Sequence, residues 1–521
     1  MNRYPILISF ILLICLRSPA QEPLVSFDDL TFNSTIERDI LTNHFLNKKT
    51  DLFQLFMANG RLLNEASLLK GQQRFSDHLK ELDQKTAAIK KNDKKIKVIY
   101  TDIHQTFLQK YEEVNSFEDV FYNGYYNCVS ATALFGLAFN RLSVPYAIKE
   151  EPTHIYLIAY PNSERIRVET TTPSLLLKPI DETFKQSFVN TLKAQKRISA
   201  QEFASKSTNS LFDQYYFGNQ MELTLFNLVG IQYMNDAIEQ YEAKKPEQAY
   251  MQLEKAYLFY PSEKIVYMLL MAGTTALEDR KVKDVTHATY LGKLSRFKNY
   301  GITSDIIVGE FSLVIHKLLF EEGQLEKLNS YHTSLKKGVS DIQTNVEIEF
   351  LYNFELGRYY YNNAKYKEAL PYFETCIDLK PNHLDATTGF LSALSRSLDT
   401  SPGNNLQIIK SLESYASLHP GLHQNNTFNN MMATTNLVQF TQDYGFDRAA
   451  EGERNKDLFE RYIEKHPDLP LNHNLIGQAY SVAAVYYFRK GQTAKAKSII
   501  SHGLLISPNN YELLTRQRMI R

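Results

Sequence analysis

Tryptophan is absent from this chain of 521 residues, cysteine occurs three times, and neither sign of charge is in excess, with Lys+Arg and Asp+Glu both at 58. Each scarcity excludes something. Three cysteines cannot staple a disulfide-dense scaffold. A net charge of zero offers no electrostatic case for nucleic acid or an anionic membrane as partner. After the first 20 residues no stretch approaches the roughly 20 apolar residues needed to span a bilayer. There is no phosphate-cradling glycine loop and no dinucleotide fingerprint, so no cofactor is expected. His419 and His423 have the spacing of helical metal ligands, but Pro420-Gly421 breaks the helix between them, and no metal is expected.

What is abundant is aromatic: 33 Tyr and 31 Phe within an ordinary globular composition, 43% hydrophobic and 22% charged. The length is enough for two or three domains with sizeable cores.

Residues 1–20 read as a secretory signal. Arg3 supplies the basic start, Ile6 to Leu16 a short apolar run, and Ser18-Pro19-Ala20 a small-residue cleavage site before Gln21. The expected destination is outside the cytoplasm, periplasmic or secreted. Leu12-Leu13-Ile14-Cys15 partly imitates a lipidation box, yet Ile14 stands where a small residue belongs, so lipid anchoring at Cys15 is the lesser reading. Removal of the signal leaves Cys128 and Cys376. Cys376 falls on the packing face of a repeat helix far along the chain, and two unpaired thiols in an oxidising compartment point to one buried and one functional.

Residues 27–94 form a helical preamble. Leu41, Phe45, Leu52, Leu55 and Phe56 keep helical spacing up to a break at Asn59-Gly60, and a second helix runs from Leu62 to about Ile89. The lysine-rich run after it reads as a solvated helix end. Lys97 to Tyr111 continues as an amphipathic helix, and Asn115-Ser116 caps a short helix through Phe121.

The chain is organised around the stretch that follows. Asn127 is positioned to cap a largely apolar helix from Val129 to Leu142, which places Cys128 in its first turn. Backbone N–H groups and the positive helix end favour a thiolate there, predicting a pKa below the free value of about 8.5. Tyr146 to Glu150 is extended, and Thr153–Tyr160 and Arg165–Thr171 form a predicted hairpin. An even loop of four residues sets Leu157 opposite Val168 and His154 opposite Thr171. This register gathers Ile155, Leu157, Ala159, Ile166 and Val168 on one face and His154, Tyr156, Arg167 and Glu169 on the other. His154 and Glu169 become diagonal neighbours, close enough for a hydrogen bond that orients the imidazole. Thiol, imidazole and carboxylate are the parts of a nucleophilic cysteine site.

Cys128, 25 intervening residues, His154, 14 more, then Glu169: this order resembles the transglutaminase-like cysteine hydrolases of papain-type architecture. Tyr125-Tyr126-Asn127-Cys128, its helix and the Val144-Pro145 turn are similar to that family's core over about residues 95–175. The chain departs from the family in carrying Glu169 where Asp is usual and in lacking tryptophan. The resemblance implies an α+β domain over 95–225 and a catalytic set of Cys128 as nucleophile, His154 as base and Glu169 as its orienting partner. Hydrolysis of amides is the implied reaction: glutamine side chains, peptide bonds or cell-wall cross-link peptides.

From residue 226 to 521 the pattern changes to paired helices. Leu356-Gly357 and Tyr360 on one helix, with Ala369, Phe373 and Cys376 on the next before Pro381, closely resemble a tetratricopeptide repeat. Similar units end at Pro261 and Pro508, and 262–300, 305–338, 384–420 and 431–467 read as degenerate pairs. The expected whole is an exported α+β papain/transglutaminase-like domain followed by an all-α tetratricopeptide-type solenoid. Its expected activity is amide hydrolysis with repeats that recruit a protein or peptide, and its rival a non-catalytic interaction scaffold. Oligomeric state is not encoded in any of these patterns.

Overall fold

The computed structural model describes residues 23–151, 154–171, 182–216, 223–381, 383–399, 401 and 403–520. The signal-sequence reading of residues 1–20, with Cys15, lies outside the described residues. The described chain divides into two compact units, Met1–Gly309 with Asn329–Ile342, and Glu310–Leu328 with Gln343–Arg521.

The expected α+β papain-type domain is not formed. The protein is 73% helical with only 4% strand. Its sheet among the described residues is one two-stranded parallel pair and one three-stranded antiparallel sheet. The physical reason lies on either side of that small sheet. The strands are two to six residues long, and the segment that would have to widen them, 182–216, is amphipathic at helical period instead. Phe184, Phe188, Val189, Leu192, Leu211 and Phe212 bury one face of its helices.

In the first unit, α1 (Thr35–Phe45), α2 (Leu52–Met57), α3 (Glu65–Ala87) and α4 (Asn92–Phe107) build the preamble. The predicted run from Phe27 to Ala58 is broken earlier than Asn59-Gly60. Lys48 takes a positive φ of 55°, and Asp51 starts a fresh helix by accepting from the backbone N–H of Gln54 at 3.2 Å. The predicted continuation to Tyr111 likewise stops at Phe107, where Lys110–Tyr111 becomes β1 and pairs in parallel with β2 (Tyr125–Tyr126). Between them lies α5 (Phe117–Tyr122), and after them α6 (Cys128–Arg141).

β3 (Tyr146–Glu151), β4 (His154–Ala159) and β5 (Ile166–Val168) follow in order. The register is the one required by the four-residue loop: Leu157 opposes Val168 and Ile158 opposes Arg167. Ile155, Leu157, Ala159 and Val168 are buried, and β4 packs on α6. α7 (Glu182–Ala194), α8 (Ala200–Ser205) and α9 (Thr208–Tyr216) lead to α10 (Leu225–Glu242) and α11 (Pro246–Phe259), then α12 (Glu263–Asp279) and α13 (Val285–Leu294). Leu225 lies against α6 so closely that a Cβ on Gly136 would stand 2.6 Å from its Cδ2.

α14 (Ser304–Ile315) and α15 (Leu325–Gly338) come next in sequence. The second unit then runs through successive helices: α16 (Ile342–Asn362), α17 (Tyr366–Leu379), α18 (Leu384–Ser397), α19 (Asn405–Leu418), α20 (Asn426–Gly445), α21 (Ala449–Lys465), α22 (His473–Arg489), α23 (Thr493–Ile506) and α24 (Tyr511–Met519). Two successive apolar cores, one around Phe373, Phe390 and Phe428 and one around Phe440, Phe459 and Tyr480, hold it together. No described helix is long and apolar enough to cross a membrane.

Candidate functional site

The helix that carries Cys128 is fixed at its start by side-chain bonds. Asn127 Oδ1 accepts from the backbone N–H groups of Val129 and Ser130 at 3.0 and 2.9 Å, and Ser130 Oγ accepts from Asn127 N at 2.9 Å. Asn127 Nδ2 donates to Glu113 O at 3.0 Å, tying the cap to the preceding loop. One turn on, Thr132 Oγ1 donates to Ile155 O at 3.2 Å and lies 3.0 Å from Thr170 Oγ1. Both threonines are fully buried. This clamp joins the cysteine helix to the residues immediately beside His154 and Glu169.

The structure therefore brings all three predicted residues to one corner of the first unit. His154 Nε2 and Glu169 Oε1 are hydrogen-bonded. Arg167 grips the other carboxylate oxygen at 3.1 Å and covers the Tyr156 ring at 4.0 Å. Cys128 and His154 line one cavity of about 820 Å³, and the backbone N–H of Ile155 reaches the Cys128 sulfur.

The expected low thiol pKa is not found. Burial pushes Cys128 up to about 11, against the downward pull of the Ile155, Val129 and Cys128 N–H groups, and Glu113 adds to the rise. The residue is partly buried and lines the cavity. Helix-end donors are outweighed by desolvation. Cys376, also a free thiol, is fully buried beneath Phe350 and is pushed up to about 12 by burial.

Sequence reasoning missed the rest of the cavity. Its walls come from the loop after α2, the β1–α5 loop, β3, α7, α9 and one face of α10, where Ile231, Met234, Ile238 and Glu242 recur at helical spacing. The periodicity of α10 was readable; what it faces was not.

The second unit offers a different surface. Gly357 and Gly389 let their helices close on the Phe373 ring, with their would-be Cβ atoms 2.9 and 2.6 Å from it. Tyr360 stacks on Tyr372 at 5.4 Å, and Phe354 meets Phe373 edge-on. Helix pairs packed through small residues and rings in this way define a helical-repeat protein. Residues 350–383 match the family model of the tetratricopeptide repeat, and they span the end of α16, all of α17 and the turn after it. That match does not extend to residues 95–225.

No curated protein matches the chain. Among solved structures, a complex described as "Structure of Naa15/Naa10 bound to HypK-THB" is 14% identical, with 65% of this chain and 61% of that chain covered and a TM-score of 0.16. This chain thus spans under two thirds of that neighbour.

Proposed function

We propose that this protein is a protein-interaction scaffold whose tetratricopeptide array binds a peptide or protein partner. The observation that carries this reading is the repeat at 350–383, embedded in a run of successive helices. Such arrays present extended concave surfaces that bind extended or helical segments. The test is selection of displayed peptides on the purified full chain, followed by titration of the enriched sequence against wild type and Tyr360→Ala/Tyr372→Ala. A shared motif that binds with micromolar Kd and weakens at least ~10-fold in the variant supports the scaffold. Absence of any enriched binder, or binding indifferent to the variant, overturns it.

A second reading is favoured by the His154–Glu169 bond beside Cys128: a cysteine-dependent amide hydrolase. In that chemistry His154 takes the Cys128 thiol proton as sulfur attacks the amide carbonyl, and the backbone N–H at the helix start meets the developing oxyanion. The amine leaves with the proton, and water then releases the acid from the thioester. Burial keeps the thiol protonated at neutral pH, so this chemistry needs a base, the role His154 would take. Export, read from residues 1–20, remains part of the proposal and is tested by N-terminal sequencing of the mature protein.

A further inference from the structure

Strand alternation sends Glu151 of β3, His154 and Tyr156 of β4 and Arg167 of β5 to one face of the small sheet, and Glu169 joins them just beyond β5. On that face the two oxygens of Glu169 have different partners. Oε1 is hydrogen-bonded to His154 Nε2. Oε2 accepts from Arg167, from Nη2 at 3.1 Å and from Nε at 3.4 Å. Arg167 is itself held from two sides. Its guanidinium lies 4.0 Å from the centre of the Tyr156 ring, and Glu151 stands 3.8 Å away on the opposite edge strand. The Tyr156 ring is tilted only 14° from the plane of His154, with centroids 6.1 Å apart.

This division of the carboxylate decides the chemistry of the imidazole. The last torsion of a glutamate is soft, so a carboxylate bonded at one oxygen alone could turn and exchange its oxygens; a cation on Oε2 stops that. A guanidinium has five donors and no acceptor, so Oε2 can only accept, and the bond is the charge-assisted kind that a carboxylate makes. An ionised carboxylate accepts at both oxygens. In the neutral imidazole the proton must then sit on Nε2, which leaves Nδ1 with a free lone pair. The opposite tautomer would set the Nε2 lone pair against Oε1 and block Nδ1 with a proton. Nδ1 is therefore the atom left to take a proton from Cys128, which shares the cavity with His154 and whose sulfur is reached by the N–H of the next residue, Ile155.

We infer that Arg167 is a positioning residue of the Cys128–His154 pair: by holding Glu169 Oε2 it fixes the imidazole proton on Nε2 and keeps Nδ1 free as the base. The use of that base rests on the hydrolase reading; the tautomer does not. Arg167 is not among the residues that line the cavity, so it acts through Glu169. More than half of its side chain is exposed. Exposed ion pairs contribute little to folding, so its removal should leave the fold intact.

Two measurements on the full chain at pH ~8 test this, with unchanged circular dichroism required of every variant. Imidazole nitrogen shifts in protein labelled with nitrogen-15 histidine report the tautomer, and His154→Ala identifies the His154 signals by their loss. Acylation by p-nitrophenyl acetate, with Cys128→Ser as the blank, reports the use of the base. Wild type should carry its proton on Nε2. Arg167→Met should shift His154 toward a mixture of tautomers and slow acylation at least ~10-fold, short of the ~10²–10⁴-fold expected for loss of a base. Arg167→Lys, which keeps the charge without the planar fork, should fall between the two. A His154 tautomer unchanged in Arg167→Met overturns the inference, whether or not acylation slows. A tautomer that shifts while acylation keeps its wild-type rate overturns it as well. Wild type that is acylated no faster than Cys128→Ser, with the tautomer still shifting in Arg167→Met, removes the hydrolase reading and leaves the hold of Arg167 on the imidazole standing.

Discussion

The two units bury polar groups by different means. In the first, charges are paired across long stretches of chain. Glu37 and Lys255 are both fully buried and bonded at 2.8 Å over 218 residues, with Tyr233 donating to the same carboxylate. Lys293 meets Glu254 at 2.6 Å, and Arg296 clamps Asp29. In the second unit the corresponding groups are mostly neutral amides close in sequence. Gln439 donates to Asp443 four residues on, Asn455 to Asp443 over twelve, and Asn405 to Gln439 over 34. Arg448 is the one cation on that chain of bonds. Repeats need only their neighbours, so local amide bonds suffice. The first unit has to hold a preamble, a small sheet and repeat helices around a cavity, and long-range ion pairs do that at the cost of desolvation.

Breaking the longest-range pair should have the largest effect. Lys255→Met leaves Glu37 buried and uncompensated, and should cost about 3–5 kcal/mol in urea unfolding. A double Glu37→Gln/Lys255→Met variant should recover much of that loss. If the single variant unfolds like wild type, the contrast between the units fails.

The second effect concerns pH. Burial raises Glu254 to about 7, opposed by Lys293. A raised carboxyl binds a proton in the folded state that the unfolded chain gives up near 4.5. The associated stability is therefore present below pH ~4.5 and lost as pH climbs through 7, by up to ~3 kcal/mol. Glu254→Gln should flatten that slope. A slope unchanged by the substitution would assign it to another group.

For the second unit the expected sensitivity is steric. Gly389→Val drives a side chain into the Phe373 ring and should cost about 1–3 kcal/mol by overpacking, read by thermal unfolding. Smallest of all in stability, but clear in chemistry, is the thiol. With Cys128 raised to about 11, alkylation at pH 7 should be on the order of 100-fold slower than for a free cysteine and should climb up to pH ~11. A rate that titrates below pH 8 and collapses in His154→Ala would instead establish a thiolate–imidazolium pair.

How far the sequence could be read followed the range of the interactions. The loop of four between Tyr160 and Arg165 and the alternation of Ile155, Leu157 and Val168 were enough to set the hairpin register, and with it the meeting of His154 and Glu169. Asn127 as cap and the helix pair ending at Pro381 were local as well. The α+β fold was misjudged because three strands of that pattern are compatible with a broad sheet or with a small one, and only the helical packing of 182–216 decides between them. The thiol was misjudged because a helix end is visible in sequence, whereas the burial that overrides it is not. The cavity was invisible for the same reason: Asn59, Glu113, Glu150 and Glu239 converge from separate parts of the chain.

The Asp29–Arg296 clamp spans 267 residues, and that distance sets a clock on synthesis. At about 5–20 residues per second, a ribosome needs roughly 13–53 s after Asp29 to make its partner. During that interval the preamble helices have emerged, with Glu37 unmatched until Lys255 is made and Asp29 until Arg296 is. The repeats of the second unit can close one after another as they appear. The first unit must wait until Asn329–Ile342 has been made, which makes its nascent form the stage at which a chaperone, or a premature partner, would find this chain.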